Sequence, residues 1–286
     1  MPSIAVMLKP ASGLCNMRCR YCFYDDEVAA RDVACYGIMS EDVLRAVLAR
    51  VLDYATDECT IAFQGGEPTL AGLPFFRRLI ELERELNVHG ASISHALQTN
   101  GYALDDAWAS FFAEHDFLVG VSIDGDRDIH DANRVDVEGK GTFDRVMASI
   151  DLLKRHGVRF NALSVVTEQS ARRTQSICRF FDRRGIDYRQ FIPCLDPLGE
   201  EPGGHAWSLS PEAFELHLKA SFNGWHRDAM QGDLRYHRFF VNLLNILDGR
   251  PAEACDMCGV CGRQLVVEAD GSVYPCDFYM LDEYRL

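Results

Sequence analysis

Cys15, Cys19 and Cys22 stand in C-x3-C-x2-C spacing on one short stretch, Cys15-Asn-Met-Arg-Cys-Arg-Tyr-Cys22. Three thiolates so close in sequence share one loop, and thiolates are the usual ligands of an iron–sulfur cubane. Three ligands for four irons leave one iron open to bind something else. A structural zinc site instead closes a tetrahedron with a fourth ligand. No histidine lies between Cys22 and His89 to supply it. Arg18 and Arg20 flank the thiols, which argues against cysteines that merely pack.

Cys255, Cys258, Cys261 and Cys276 form a second group, and on spacing alone C-x2-C-x2-C…C also suits zinc. The chain has eleven cysteines, and the other four are scattered. Cys59, Cys178 and Cys194 lie in or beside apolar segments and read as packing residues. Cys35 sits in a predicted loop with nothing nearby to activate it. The nine histidines show no ligand spacing.

Composition narrows the class. With 48% hydrophobic and 25% charged residues the chain reads as an ordinary soluble protein. A net charge of −14 argues against nucleic acid, whose phosphates call for clustered Lys and Arg. The acidic surface suits a basic peptide partner, and equally serves solubility. The first ten residues are too short for a signal h-region and are interrupted by Lys9, and no apolar run approaches the ~20 residues of a membrane span. A cytoplasmic protein without a membrane partner is expected, and there grouped cysteines point to metal rather than disulfides.

These residues need a scaffold, and the apolar patterning supplies one. Candidate strands are Ile4–Leu8, Thr60–Phe63, Ser92–Leu97, Phe117–Ile123, Phe160–Val166 and Tyr188–Ile192. Helical patterns cover Glu41–Tyr54, with Ser40 as N-cap, then Phe75–Leu86, Asp106–Glu114, Phe143–His156 and Ala171–Arg184. Several strands are nearly continuous apolar runs, as in a parallel sheet buried on both faces. The expected fold class is α/β, a partial (β/α)6 barrel, whose chemistry lies at the C-terminal strand ends. Cys15, Gln64-Gly65-Gly66-Glu67, Gln98-Thr99-Asn100, Ser122 with Asp124, and Leu195 all follow or end such strands. Further helix is expected over Pro211 to about Asp248. Beyond Cys255, the run Leu265–Tyr274 reads as a hairpin around Asp270-Gly271. A lone hairpin of this kind has few partners and is marginal in water.

The Cys15–Cys22 motif followed by Phe23-Tyr24 resembles the signature of radical S-adenosylmethionine (SAM) enzymes. Phe-Gln-Gly-Gly-Glu-Pro-Thr-Leu at 63–70, Leu-Gln-Thr-Asn-Gly at 97–101 and Cys-Asp-Phe-Tyr at 276–279 resemble the anaerobic sulfatase-maturating enzymes, over essentially the whole chain from Leu8 onward. The resemblance implies a 4Fe–4S cluster on Cys15, Cys19 and Cys22, with SAM on the open iron. One electron then cleaves the sulfonium to a 5′-deoxyadenosyl radical, which the protein positions and shields. Carried over residue by residue, the SAM contacts are Tyr21, Gly66, Ser122, Arg134 and Leu195. Gly65-Gly66 would let backbone approach the methionine amine, and Arg134 would pair with the SAM carboxylate. Glu67 is open between a ligand contact and a structural carboxylate, and Gln98 and Asn100 between ligand contacts and rim residues that satisfy loop backbone.

The second cysteine group resembles the opening of a SPASM domain. Cys255, Cys261 and Cys276 match ligands of its first auxiliary 4Fe–4S cluster. The sequence stops at Leu286 before the family's later ligands, so a truncated SPASM module is expected, with Cys258 a candidate substitute. Iron–sulfur, zinc and an unligated remnant all stay open there. Asp277 matches the family's proposed general base; the alternative is a residue that starts a turn. The implied organisation is a radical SAM core at 1–230, a helical linker at 231–254 and the SPASM start at 255–286. The implied function is oxidation of a Cys or Ser in an unfolded sulfatase peptide to Cα-formylglycine, with an electron donor as second partner. The rivals are a maturase for another peptide and an inactive fragment that binds SAM or peptide.

Overall fold

The computed structural model describes residues 2–260 and 264–286. Its first half alternates β1 (Ile4–Leu8), α1 (Phe23–Ala29), α2 (Glu41–Tyr54), β2 (Glu58–Phe63), α3 (Gly72–Leu86), β3 (Ser92–Thr99) and α4 (Asp106–Glu114). The alternation continues through β4 (Leu118–Ser122), α5 (Arg127–Asn133), α6 (Phe143–Arg155), β5 (Phe160–Val166), α7 (Glu168–Ala171), α8 (Thr174–Arg183) and β6 (Tyr188–Pro193). Then follow α9 (Pro211–Met230), β7 (Tyr236–His237), α10 (Arg238–Leu247), β8 (Leu265–Val267) and β9 (Val273–Tyr274).

One sheet runs β7-β6-β5-β4-β3-β2-β1-β8-β9, parallel throughout except for the antiparallel β8–β9 pair. The chain is therefore α/β: the six parallel strands expected of the partial (β/α)6 barrel, β1 to β6, lie at the centre of the sheet, with β7 added at one edge and β8 and β9 at the other. Strand alternation sorts the side chains. Val6 and Leu8 enter the main core with Ile61, Phe63, Leu44, Leu48 and Phe76, whereas Met7 packs on the other side with Val266, Tyr274 and Met280. Register aligns the strand ends, Leu8 beside Phe63 and Phe63 beside Leu97. Lys9 and Gln64, which follow those ends, and Gln98, one position beyond Leu97 within β3, thus share one rim.

Ser40 caps α2 as expected, its side chain accepting from the Val43 amide. Four expectations change. α3 starts earlier, at Gly72, behind a 3-10 turn at Pro68–Ala71. The single helix expected at Ala171–Arg184 is two, because the Thr167–Ser170 capping box starts α7 separately and α8 begins at Thr174. The helix expected over Pro211–Asp248 is interrupted by β7, which pairs with β6. The hairpin does have partners: β8 pairs in parallel with β1, Val6 opposite Leu265 and Leu8 opposite Val267. Among the described residues no helix is long and apolar enough to cross a membrane.

Candidate functional site

The three cysteines follow β1 on a loop that leads into α1, all partly buried. Burial pushes the Cys15 thiol up to about 11 and Cys19 to about 12, and raises Cys22, each also raised by a neighbouring charge. Donors face the sulfurs: Asn100 Nδ2 lies 3.6 Å from Cys15 Sγ and Arg134 Nη1 lies 4.0 Å from Cys19 Sγ. Among the described residues no three His, Cys, Asp or Glu side chains converge closely enough to hold a single metal ion. Thiolates are the usual ligands of iron–sulfur clusters, whose sulfurs take hydrogen bonds from donors placed as Asn100 and Arg134 are here. The donor set and the cationic neighbour thus fit a cluster with thiolate ligands.

Gly66 holds φ 51°, where a side chain is strained. A Cβ there would lie 2.3 Å from the Leu14 carbonyl oxygen and 2.8 Å from that of Ser12. The glycine is required because the cysteine loop itself crosses this point, an approach by the chain's own backbone. Glu67 settles as a structural carboxylate. It is fully buried, accepting from the Thr69 amide and hydroxyl, the Thr99 hydroxyl (2.8 Å) and the Asn100 amide (2.7 Å). Asn100 in turn donates to Asn16 Oδ1 at 2.8 Å, so it steadies the loop from the rim.

Tyr21 and Arg134 meet at a residue read from sequence only as strand-end punctuation. Asp124 Oδ2 accepts from the Tyr21 hydroxyl and from Arg134 Nε (3.0 Å), while Oδ1 accepts from the Val165 amide (3.0 Å). Arg134 also lies over the Tyr21 ring, 5.4 Å from its centroid. Arg134 is thus already paired with a carboxylate. His130, fully buried beside this group, donates to or accepts from Thr142 Oγ1, and burial lowers its pKa to about 3. Ser122 Oγ accepts from Gln98 Nε2 at 3.1 Å. Leu195 follows β6 on the same rim, 48% exposed.

From the other end of the chain, Asp277 arrives buried on a short turn after Cys276. Its Oδ2 accepts from the Tyr24 hydroxyl at 2.5 Å and Gln64 Nε2 at 3.3 Å, and Gln64 also donates to the Tyr24 oxygen at 2.6 Å. Lys9 Nζ lies 3.1 Å from Oδ1. Burial holds the Tyr21 and Tyr24 phenols well above their usual range, so both stay donors. From sequence Gln64 was placed at a strand end, but neither it nor Lys9 nor Tyr24 was given a role. Tyr24 and Gln64 lay inside the quoted motifs, whereas Lys9 gave no signal beyond its charge.

In the second group Cys255 is exposed on a 3-10 turn, and Cys258 Sγ faces the Ala252 and Ala254 carbonyls at 3.5 Å. Cys276 is partly buried and Cys261 lies outside the described residues.

Comparison with known proteins supplies the family. Residues 10–181 match the radical SAM superfamily. The cysteine-type anaerobic sulfatase-maturating enzyme of Clostridium perfringens is 46% identical over 286 residues, all of this chain and 77% of that protein. The serine-type enzyme of Bacteroides thetaiotaomicron is 32% identical over 98% of this chain and 71% of its own length. A solved structure of anSMEcpe with bound AdoMet superposes with a TM-score of 0.95, at 46% identity over all of this chain and 77% of that one. Another holds AdoMet and the Cp18Cys peptide, with a TM-score of 0.94 and 45% identity over the same shares. With its cysteine loop, its strand-end rim and these relatives, the chain belongs to the radical SAM superfamily and, within it, to the anaerobic sulfatase-maturating enzymes.

Proposed function

We propose that this chain oxidises a cysteine of a sulfatase peptide to Cα-formylglycine, with serine as the lesser substrate. The observation that carries it is the meeting of Asp277 with Tyr24, two positions after Cys22, which puts a carboxylate beside the thiol loop. Identity is higher to the cysteine-type relative, 46% against 32%, which supports the cysteine preference. When bound, a 4Fe–4S cluster on Cys15, Cys19 and Cys22 with SAM supplies hydrogen-atom abstraction, and an auxiliary cluster on Cys255, Cys261 and Cys276 supplies an electron acceptor.

The chain's own residues do the rest. Tyr21, Gly66, Ser122, Arg134 and Leu195 line the SAM site on the rim. Asp277, held by Tyr24 and Gln64, accepts the proton of the substrate thiol. The substrate loses one hydrogen atom from Cβ, one proton from Sγ and one electron, giving a thioaldehyde that water converts to the aldehyde with release of hydrogen sulfide. The division into a core at 1–230, a linker at 231–254 and a module at 255–286 follows these roles, although β8 joins the core sheet. The partners are the sulfatase peptide and a one-electron donor.

The test is anaerobic reconstitution followed by incubation with SAM, reductant and a Cys-containing sulfatase peptide. The expected products are 5′-deoxyadenosine and an aldehyde-bearing peptide, with the Ser peptide turned over more slowly. 5′-Deoxyadenosine without any aldehyde from either peptide overturns the reading.

A further inference from the structure

Lys9 leaves β1 at the rim almost wholly buried, 2% exposed, with its ammonium between two carboxylates. Glu27 Oε2 lies at 3.2 Å and Asp277 Oδ1 at 3.1 Å. The ammonium also sits 4.5 Å from the centroid of the Tyr24 ring, which adds a cation–π contact. Its path is cut into the backbone. Gly65 has φ 90°, and a Cβ there would lie 2.6 Å from Lys9 Cδ and 2.8 Å from Cε. The Lys9 amide donates to the Val267 carbonyl at 2.9 Å, tying β1 to the end of β8, whose chain leads on to Asp277.

The two oxygens of Asp277 are treated differently. Oδ2 takes two donors, Tyr24 and Gln64. Oδ1 is buried and faces the Lys9 ammonium at ion-pair distance, yet among the described residues no aligned hydrogen bond reaches it. A carboxylate held by an ion pair at one oxygen and by directed donors at the other is fixed in place and orientation.

We propose that Lys9 is a positioning residue for peptide oxidation. Anchored by Glu27 and Tyr24, it fixes the Asp277 carboxylate in the position from which it receives the substrate proton. This rests on the reading of Asp277 as the general base. A purely structural ammonium would act on the fold through Glu27 and leave the coupling between SAM cleavage and peptide oxidation untouched.

The experiment measures 5′-deoxyadenosine formed per peptide oxidised, a ratio independent of how much protein is folded, together with peptide Kd by fluorescence anisotropy. Lys9→Met keeps the stem and removes the charge. It should raise the ratio at least about tenfold while peptide Kd moves less than about threefold, the pattern of an interaction used in turnover rather than in binding. In an Asp277→Asn background the same change should add less than about threefold, because residues acting through one another are not additive. Glu27→Gln, which leaves the Lys9–Asp277 pair, should change the ratio less than Lys9→Met does. Should Lys9→Met fail to fold, Lys9→Arg carries the measurement, since a longer forked guanidinium displaces Asp277 and raises the ratio. A wild-type ratio in the variant that folds, or an equal rise in Glu27→Gln, overturns the Lys9 assignment alone. A wild-type chain that cleaves SAM but oxidises neither a Cys nor a Ser peptide overturns the base reading and this one with it.

Discussion

Asp124 gathers three buried donors. Removing its carboxylate strands the Arg134 guanidinium, 6% exposed, together with the buried Tyr21 hydroxyl and the Val165 amide. An uncompensated buried charge left by deleting one partner costs about 3–5 kcal/mol. Asp124→Ala should lose stability on that scale in denaturant unfolding, and a loss under about 1 kcal/mol, the size of an ordinary surface change, would contradict the hub. From sequence Tyr21 and Arg134 were named and Asp124 was placed at a strand end, yet nothing joined them, because Tyr21 and Asp124 are 103 positions apart. Gly66 was named for a ligand's approach, and its missing side chain also admits the Leu14 carbonyl, which no local pattern announces. Lys9 was read only as an interruption of an apolar start, since nothing in a linear chain says that residue 277 will return to it.

Long elements were legible because their periodicity extends over several turns. α2, α4 and α6 fall where the apolar spacing put them, and the core strands within a residue or two of their bounds. α1 and α5, seven residues each, are too short to establish a period, and two-residue β7 has none. β7 and α9 nevertheless carry a testable property. His237 stacks between Phe191 (5.2 Å) and Phe240 (4.2 Å), and His217 lies 4.9 Å from Phe191 with its Nδ1 2.8 Å from Thr174 Oγ1. Burial lowers His217 from 6.5 to about 4 and His237 from 6.5 to about 3. Below the unfolded value the unfolded chain binds protons that the folded chain refuses, so stability falls with pH from about 6.5 to about 4. Among the described residues neither His237 ring nitrogen has a hydrogen-bond partner, so an apolar ring can replace it. His237→Phe should narrow the difference in Tm between about pH 7.5 and about pH 5, and an unchanged difference would place the acid sensitivity elsewhere.

At the scale of the whole molecule, the C-terminal segment is joined to the cysteine loop and α1 by charged side chains, most of them buried, as well as by strand pairing. Lys9 meets Asp277, Glu27 Oε1 accepts from the Met280 amide at 3.1 Å, and the Asp32 amide donates to Asp282 at 2.7 Å. The most buried tie is Arg31 Nη1 to Glu268 Oε2 at 2.7 Å, with side chains 1% and 0% exposed. From sequence the hairpin carrying Glu268 looked short of partners, since neither its parallel pairing with β1 nor a pair 237 positions apart leaves a local pattern. Buried pairs of this kind separate two effects. Deleting one partner leaves a bare charge and costs about 3–5 kcal/mol, whereas replacing both by apolar side chains is often neutral or stabilising. Glu268→Leu should therefore lower Tm sharply. Arg31→Met with Glu268→Leu should recover most of that loss, while giving up the Arg31 contact to the Ala34 carbonyl. A double variant as unstable as the single one would mean that the carboxylate supports the hairpin by itself, through its own bond to the Ala269 amide at 2.7 Å.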